Sequence, residues 1–195
     1  RQSGGKGQYG DVWLRVEPMT GGGVEFKSEV SDGEIPREYV PAVEKGVLSA
    51  LENGIMAGYP MVNVGVTLLG GSYHEVDSSD IAFTAAGAIA LREAAMKARP
   101  VLLWPIVSLE VVVPEQFVGE VIADLNARGG RIEGTRARGD ERIVDATVPL
   151  GRMFGYATAL RSLTQGRAVY TTQFSHYDEV PKERQDKILA GWGWT

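Results

Sequence analysis

Between Ile106 and Phe174 the apolar residues switch repeatedly between a period of two and a period near 3.6, which few folds can satisfy. Ile106 to Val113 reads as a strand. After Pro114, the residues Phe117, Val118, Val121, Ile122 and Leu125 fall at helical spacing through about Asn126, and Gly129-Gly130 closes that helix. Arg131 to Ala137 and Arg142 to Val148 read as strands joined by a turn at Gly139-Asp140. Leu150 to Leu163 returns to helical spacing, and Arg167 to Phe174 returns to strand. The order β-α-β-β-α-β is the split βαβ arrangement of ferredoxin-like domains.

The first half follows a different plan. Val12, Leu14 and Val16 alternate with Asp11, Trp13, Arg15 and Glu17, which predicts a half-buried strand. Pro18 and Gly21-Gly22-Gly23 supply a turn, and Val24 to Val30 is expected as a second strand completing a hairpin. Pro36 suits a helix start. Val40, Val43, Val47, Leu48 and Leu51 follow at helical spacing, and Asn53-Gly54 ends the run. Met61 to Leu69 alternates through Val62, Val64, Val66 and Leu68 as a strand, and Gly70 to Glu75 is expected as a loop. Ser78 or Ser79 caps a long helix from about Asp80 to Ala98, stopped by Pro100. These patterns predict an α+β chain of two domains, residues 1–105 and 106–180. A tail, residues 181–195, holds one short helix before Gly191-Trp192-Gly193-Trp194.

Gly5, Gly7, Gly10 and Val12 match the G-x-G-x-x-G-x-V phosphate loop of protein kinases. The rest of the kinase signature is missing, since no V-A-I-K, H-R-D, D-F-G or A-P-E occurs in the 195 residues. A dinucleotide fold needs the third glycine to open a helix, whereas Gly10 leads into a strand. A Walker loop needs Ser or Thr after Gly-Lys, and Lys6 is followed by Gly7. Other chemistries fall with equal economy. There is no cysteine, so thiolate nucleophiles and cysteine-held zinc are excluded. The two histidines, His74 and His176, stand far apart outside any H-E-x-x-H, so no metal site is expected. No apolar run approaches the roughly 20 residues that span a bilayer, so no membrane partner is expected either.

What remains is recognition. Arg1 to Gly10 and Gly70 to Asp77 are short polar loops that combine glycine, amides and hydroxyls with an aromatic ring or a histidine. Such loops fit grooves and splayed bases in RNA recognition, while two ordinary surface turns are the plainer reading of the composition alone. The formal charge of −5 opposes nonspecific nucleic-acid binding, but its distribution is uneven. From Asn126 to Arg167, eight arginines (Arg128, Arg131, Arg136, Arg138, Arg142, Arg152, Arg161, Arg167) face four acids (Glu133, Asp140, Glu141, Asp145), a local +4. Arginine forks suit phosphate, while a solvated face of ordinary ion pairs is the plainer reading.

Four blocks, RQSGGKGQYG, IPREYVPAVEKG, GSYHEVDSSDIAF and FGYATALRSLTQGRAVYTTQFSHYDEVP, resemble the C-terminal part of bacterial-type translation elongation factor G over nearly the whole chain. The resemblance implies a fourth domain like domain 2 of ribosomal protein S5, a βαβ unit with a left-handed crossover and its first strand missing here. A ferredoxin-like fifth domain would follow. It implies tip loops at the small-subunit decoding centre, formed by Gln2, Ser3, Gly4, Gly5 and Lys6 on one side and Ser72, Tyr73, His74, Glu75, Val76 and Asp77 on the other. His74 matches the family's tip histidine. Partners implied are the ribosome, with rRNA of both subunits and stalk-base proteins, the tRNA anticodon arm and mRNA. Arg128, Arg131, Arg136 and Arg138 are the candidate rRNA contacts. GTP and Mg2+ would belong to an N-terminal domain absent from this chain, which therefore carries no cofactor and no catalytic residue. The resemblance further implies a cytoplasmic setting and a monomeric, ribosome-binding fragment of a translational GTPase that promotes tRNA–mRNA translocation. A paralogue serving ribosome recycling or antibiotic protection is the alternative. Asp11, where relatives often have histidine, Lys6, where arginine is common, and Trp104, in place of a frequent glutamate, depart from the family pattern.

Overall fold

Five consecutive buried residues, Val64 to Leu68, mark the strand around which the first domain is built. The computed structural model of the chain describes residues 7–31 and 33–191, so Gln2, Ser3, Gly4, Gly5 and Lys6 lie outside the described residues. Close contacts divide the chain into two units, Arg1–Pro100 and Val101–Thr195.

In the first unit, β1 (Asp11–Pro18), β2 (Val24–Ser28), α1 (Val40–Asn53), β3 (Val64–Ser72) and α2 (Asp80–Lys97) follow one another. The sheet order is β1-β3-β2, with β1 antiparallel and β2 parallel to β3. The expected hairpin is therefore not formed: β1 and β2 flank β3 and never pair. Gly21, Gly22 and Gly23 all have φ between 84° and 104°, a region open to glycine. They carry the chain across the end of β3, where Met19 N–H donates to the Asn63 carbonyl and Asn63 N–H to that of Gly23, both at 2.7 Å. The physical reason is burial. The apolar β3 needs neighbours on both edges, and β2, with Phe26 as its one half-buried residue, suits an edge.

The strand β3 also runs further than the glycines suggest, through Gly70, Gly71 and Ser72, correcting the loop expected from Gly70. A side chain at Gly71 would collide with the Asp11 carbonyl, so glycine there permits the close pairing of β1. The two helices pack as tightly. A Cβ at Gly46 would collide with the Thr84 carbonyl, and one at Gly87 would lie 2.6 Å from the Val43 carbonyl oxygen. Val43, Val47, Leu51, Phe83 and Leu91 join Val66 and Leu68 in one core. Leu48, expected on the apolar face of α1, is exposed instead.

The second unit runs β4 (Leu103–Pro114), a 3-10 turn, α3 (Val118–Ala127), β5 (Arg131–Arg138), β6 (Glu141–Pro149), another 3-10 turn, α4 (Tyr156–Leu163), β7 (Val169–Glu179) and α5 (Lys182–Leu189). All pairings are antiparallel, in the order β5-β6-β4-β7, which is the ferredoxin-like sheet that the sequence order predicts. Together the units have the α+β architecture expected, one with a mixed sheet and one antiparallel. Trp104 and Pro105 lie inside β4, paired with Asp178 and Tyr177 of β7. The predicted helix over Leu150 to Leu163 is broken. Leu150–Met153 is a 3-10 turn, and Gly155 at φ 71° reverses the chain before α4 begins. The last strand extends five residues beyond Phe174, to Glu179. The tail helix α5 is tied in through buried Gln185, which accepts from Leu102 N–H (3.0 Å) and donates to the Val180 carbonyl (2.7 Å).

Tyr156, 1 % exposed, anchors this second core with its ring edge-on to Tyr170 at 5.0 Å. Its hydroxyl has no hydrogen-bond partner among the described residues. Burial, and next the Asp124 carboxylate, push the phenol well above its ordinary range. An unpartnered buried hydroxyl is a liability of roughly 1–3 kcal/mol. Tyr156→Phe is therefore expected to leave stability unchanged or raise it by about 1 kcal/mol, read as the midpoint of urea unfolding. A loss of that size would mean that the hydroxyl is engaged.

Candidate functional site: a stitched polar loop

Ser79 caps α2 by accepting from Ala82 N–H at 3.2 Å, which fixes where the loop between β3 and α2 must end. Ser78, one residue earlier, holds that loop closed. Its Oγ accepts from His74 N–H at 2.9 Å and donates to the Tyr9 carbonyl at 3.0 Å, while its own N–H donates to the His74 carbonyl at 2.9 Å. The loop is thus a small ring of hydrogen bonds with His74 at the turn.

The glycine-rich segment is laced to this ring. Gly7 N–H donates to Asp77 Oδ1 at 2.7 Å, and Tyr9 N–H donates to the Asp77 carbonyl at 2.9 Å. Tyr9 and Ser78 form an isolated parallel bridge. The amide that a kinase loop would offer to a phosphate is here consumed by a carboxylate of the same chain. A Cβ at Gly7 would sit 2.9 Å from that carboxyl group, so the approach itself depends on glycine. A side-chain relay completes the lacing. Ser72 Oγ donates to Asp11 Oδ2 at 3.1 Å, so the Tyr9 hydroxyl, 2.7 Å from Ser72 Oγ, is the donor in that pair.

His74 sits with Nδ1 at 3.4 Å from both the Val76 amide nitrogen and Asp77 Oδ2. Nε2 has no partner among the described residues, and the ring lies edge-on to Tyr9 at 6.4 Å. Tyr9, Tyr73, His74 and Val76 are exposed, while Ser72, Asp77 and Ser78 are half-buried. The loop therefore divides its labour: polar residues stitch inward and rings face out. Of the predicted tip residues, Ser72 to Asp77 come together as one surface. Tyr9, Asp11 and Ser78 also belong to it, although sequence reasoning names Ser78 only as a candidate helix cap and Asp11 only as a departure from the family pattern. The one available signal is that three hydroxyl or carboxylate side chains flank both glycine segments.

The four candidate arginines of the second unit differ among themselves. Arg128, whose side chain is 18 % exposed, donates to Asp124 Oδ2 (2.8 Å) and to the carbonyls of Arg152 (2.9 Å) and Phe154 (3.2 Å). Its guanidinium also covers the Tyr156 ring at 5.1 Å. Arg136 is gripped by Asp145 (3.0 and 3.2 Å) and Glu110 (2.5 Å). These hydrogen bonds raise the guanidinium further above its already high range and lower the Asp145 carboxyl. Arg131, 83 % exposed, has only a loose contact to Glu133 at 3.7 Å, and Arg138 has no ion pair among the described residues. The local +4 is partly cancelled because β4, the 3-10 turn after it and α3 bring in acids from outside the segment: Glu110 onto Arg136, Glu115 onto Arg142 at 2.5 Å, and Asp124 onto Arg128.

A mixed-sheet unit that displays a laced loop, followed in sequence by a ferredoxin-like unit, defines a two-domain α+β chain. Residues 1–99 match the family described as elongation factor G, domain IV, and residues 101–188 match the elongation factor G C-terminus. The chain belongs to the elongation factor G family. It is also similar to a protein of Thermus thermophilus known from a crystal structure, with 44 % sequence identity and a TM-score of 0.88. That match covers 98 % of this chain and 29 % of the other, so the chain spans less than a third of that relative. No helix among the described residues is long and apolar enough to cross a membrane.

Proposed function

We propose that this chain is the ribosome-engaging C-terminal part of a translational GTPase that drives tRNA–mRNA translocation. The observation that carries the reading is the stitched loop: Gly7, Tyr9 and Ser78 hold the backbone of residues 72–78 so that Tyr73, His74 and Val76 face outward. Such a loop enters the decoding region of the small subunit beside the tRNA anticodon arm and the mRNA. Its action is steric and electrostatic. By occupying a vacated site it binds one arrangement of the tRNAs better than the other, and a ligand shifts an equilibrium only by that difference. The second unit meets large-subunit rRNA and stalk-base proteins, with Arg131 and Arg138 as its most accessible candidate cations. GTP and Mg2+ are handled by the preceding part of the parent protein, in the cytoplasm.

The test exploits the absence of cysteine from the chain. Val76→Cys, in a full-length parent otherwise free of cysteine, gives one attachment point for an iron chelate that generates hydroxyl radicals. Bound to 70S ribosomes, it is expected to cleave small-subunit rRNA around the decoding centre. Cleavage confined to the large subunit, or none in a complex that sediments intact, would overturn the reading.

A further inference from the structure

Phe154 is 94 % exposed, the most exposed large apolar side chain among the described residues. Isolated exposed apolar residues are ordinary. This one is different because other side chains are committed to holding the loop that presents it. The loop leaves β6 as the 3-10 turn Leu150–Met153, extends at Phe154 (φ −57°, ψ 129°), and reverses at Gly155. Arg128 reaches across from the end of α3 and clamps the turn by donating one nitrogen, Nη1, to the carbonyls of both Arg152 and Phe154. Asp124 and the Tyr156 ring fix Arg128 in turn. A guanidinium so engaged is a scaffold for the loop and has little left for an outside anion.

The surroundings select the partner. Arg152 is exposed and forms no ion pair among the described residues. Its like charge, after burial, helps hold the Arg184 guanidinium below its usual range. On the sheet, by contrast, Glu110 and Asp145 are paired opposite each other and grip Arg136. The unit thus presents a projecting ring close in sequence to a cation that has no ion pair among the described residues, whereas Arg136 on the sheet is held by two carboxylates. A ring that can stack, next to an arginine that can take a phosphate, is the chemistry that holds an unstacked base of folded RNA.

We propose that the turn from Leu150 to Phe154 is an RNA contact of the second unit, with Phe154 stacking on an unpaired rRNA base, Arg152 meeting its backbone, and Arg128 positioning both. The proposal rests on the ribosome-engaging function above. The probe is p-benzoylphenylalanine, placed at position 154 or at position 73 of the full-length parent and irradiated on 70S ribosomes. The expected result is a cross-link from position 154 to large-subunit rRNA. A cross-link from position 154 to protein alone, or none while position 73 labels the small subunit, would overturn this contact and leave the function standing. Silence at both positions would remove the function as well.

Affinity measurements give a second readout. Phe154→Ala is expected to weaken ribosome binding about tenfold and Phe154→Trp to restore it, as base stacking predicts. Arg152→Gln should lower the slope of log affinity against log salt by about one. Arg128→Lys keeps the charge but loses the two-carbonyl clamp, so it should weaken binding as Phe154→Ala does, with the double variant no weaker than either. Additive losses would mean that Arg128 acts on its own, and an unchanged affinity for Phe154→Ala would exclude stacking.

Discussion

His74→Ala in the full-length protein is expected to slow single-turnover translocation about tenfold or more, a loss of about 1.4 kcal/mol in transition-state stabilisation. Ribosome-stimulated GTP hydrolysis should stay within about twofold of wild type on the same rate scale. The expectation of selectivity comes from how the loop is held. Its closing bonds use the backbone N–H and carbonyl of His74 with Ser78, which alanine retains. Only the imidazole is lost, with its contacts to Val76 and Asp77 and its free Nε2. A truncation that leaves the loop in place reports on the ring itself. Equal losses in translocation and hydrolysis would show that the ring acts before the two activities diverge, and the proposed role of the tip would fall.

The largest effect on stability is expected at Gly46. Alanine there puts a methyl group into the Thr84 carbonyl, and since that partner is backbone of α2, no rotamer change relieves the overlap. The helices must separate, which opens contacts among Val43, Val47 and Phe83 in the core. Overpacking of this kind costs about 1–3 kcal/mol, and a clash with backbone belongs at the upper end. For a domain near 100 residues, about 3 kcal/mol lowers Tm by more than about 10 °C. Gly87→Ala acts at the same crossing, against the Val43 carbonyl. Once the helices have parted for one methyl group, the second should cost less, so the double variant is expected to fall short of the sum. Calorimetry on the three variants decides it. A Gly46→Ala protein melting within about 2–3 °C of wild type, well below the expected shift, would mean that the crossing yields more easily than its geometry implies.

Much of this molecule is legible in its residues, and the failures share a cause. Periodicity locates the ferredoxin-like unit because each of its elements has one wet and one dry face, as in α3 with Val121 and Leu125 buried. It also finds β3, but with Val64 to Leu68 all buried the pattern cannot say that β1 and β2 take opposite edges. It fails again at Phe154-Gly155, where a glycine that looks tolerable inside a helix reverses the chain. The tip is legible only as composition: glycines, hydroxyls, one histidine. Its lacing joins residues about seventy positions apart, such as Gly7 to Asp77, and no local pattern encodes such a pairing. The charge map misleads for the same reason. Counting along the segment assigns Arg136 a free charge, whereas the fold brings Glu110 to it from 26 residues away.

The capped helix behind the tip has a mechanical consequence. Ser79 joins the loop to α2, whose 18 residues span about 27 Å at 1.5 Å per residue. A thrust on His74 along that axis runs into a stack of helical hydrogen bonds loaded in series, braced against α1 at Gly46 and Gly87. A sideways thrust meets the separate bonds that tie residues 7–11 to residues 72, 77 and 78. The loop is therefore a bearing that is stiff in one direction and compliant in the others. A part shaped this way can carry axial load while letting its end face tilt to follow whatever it presses against.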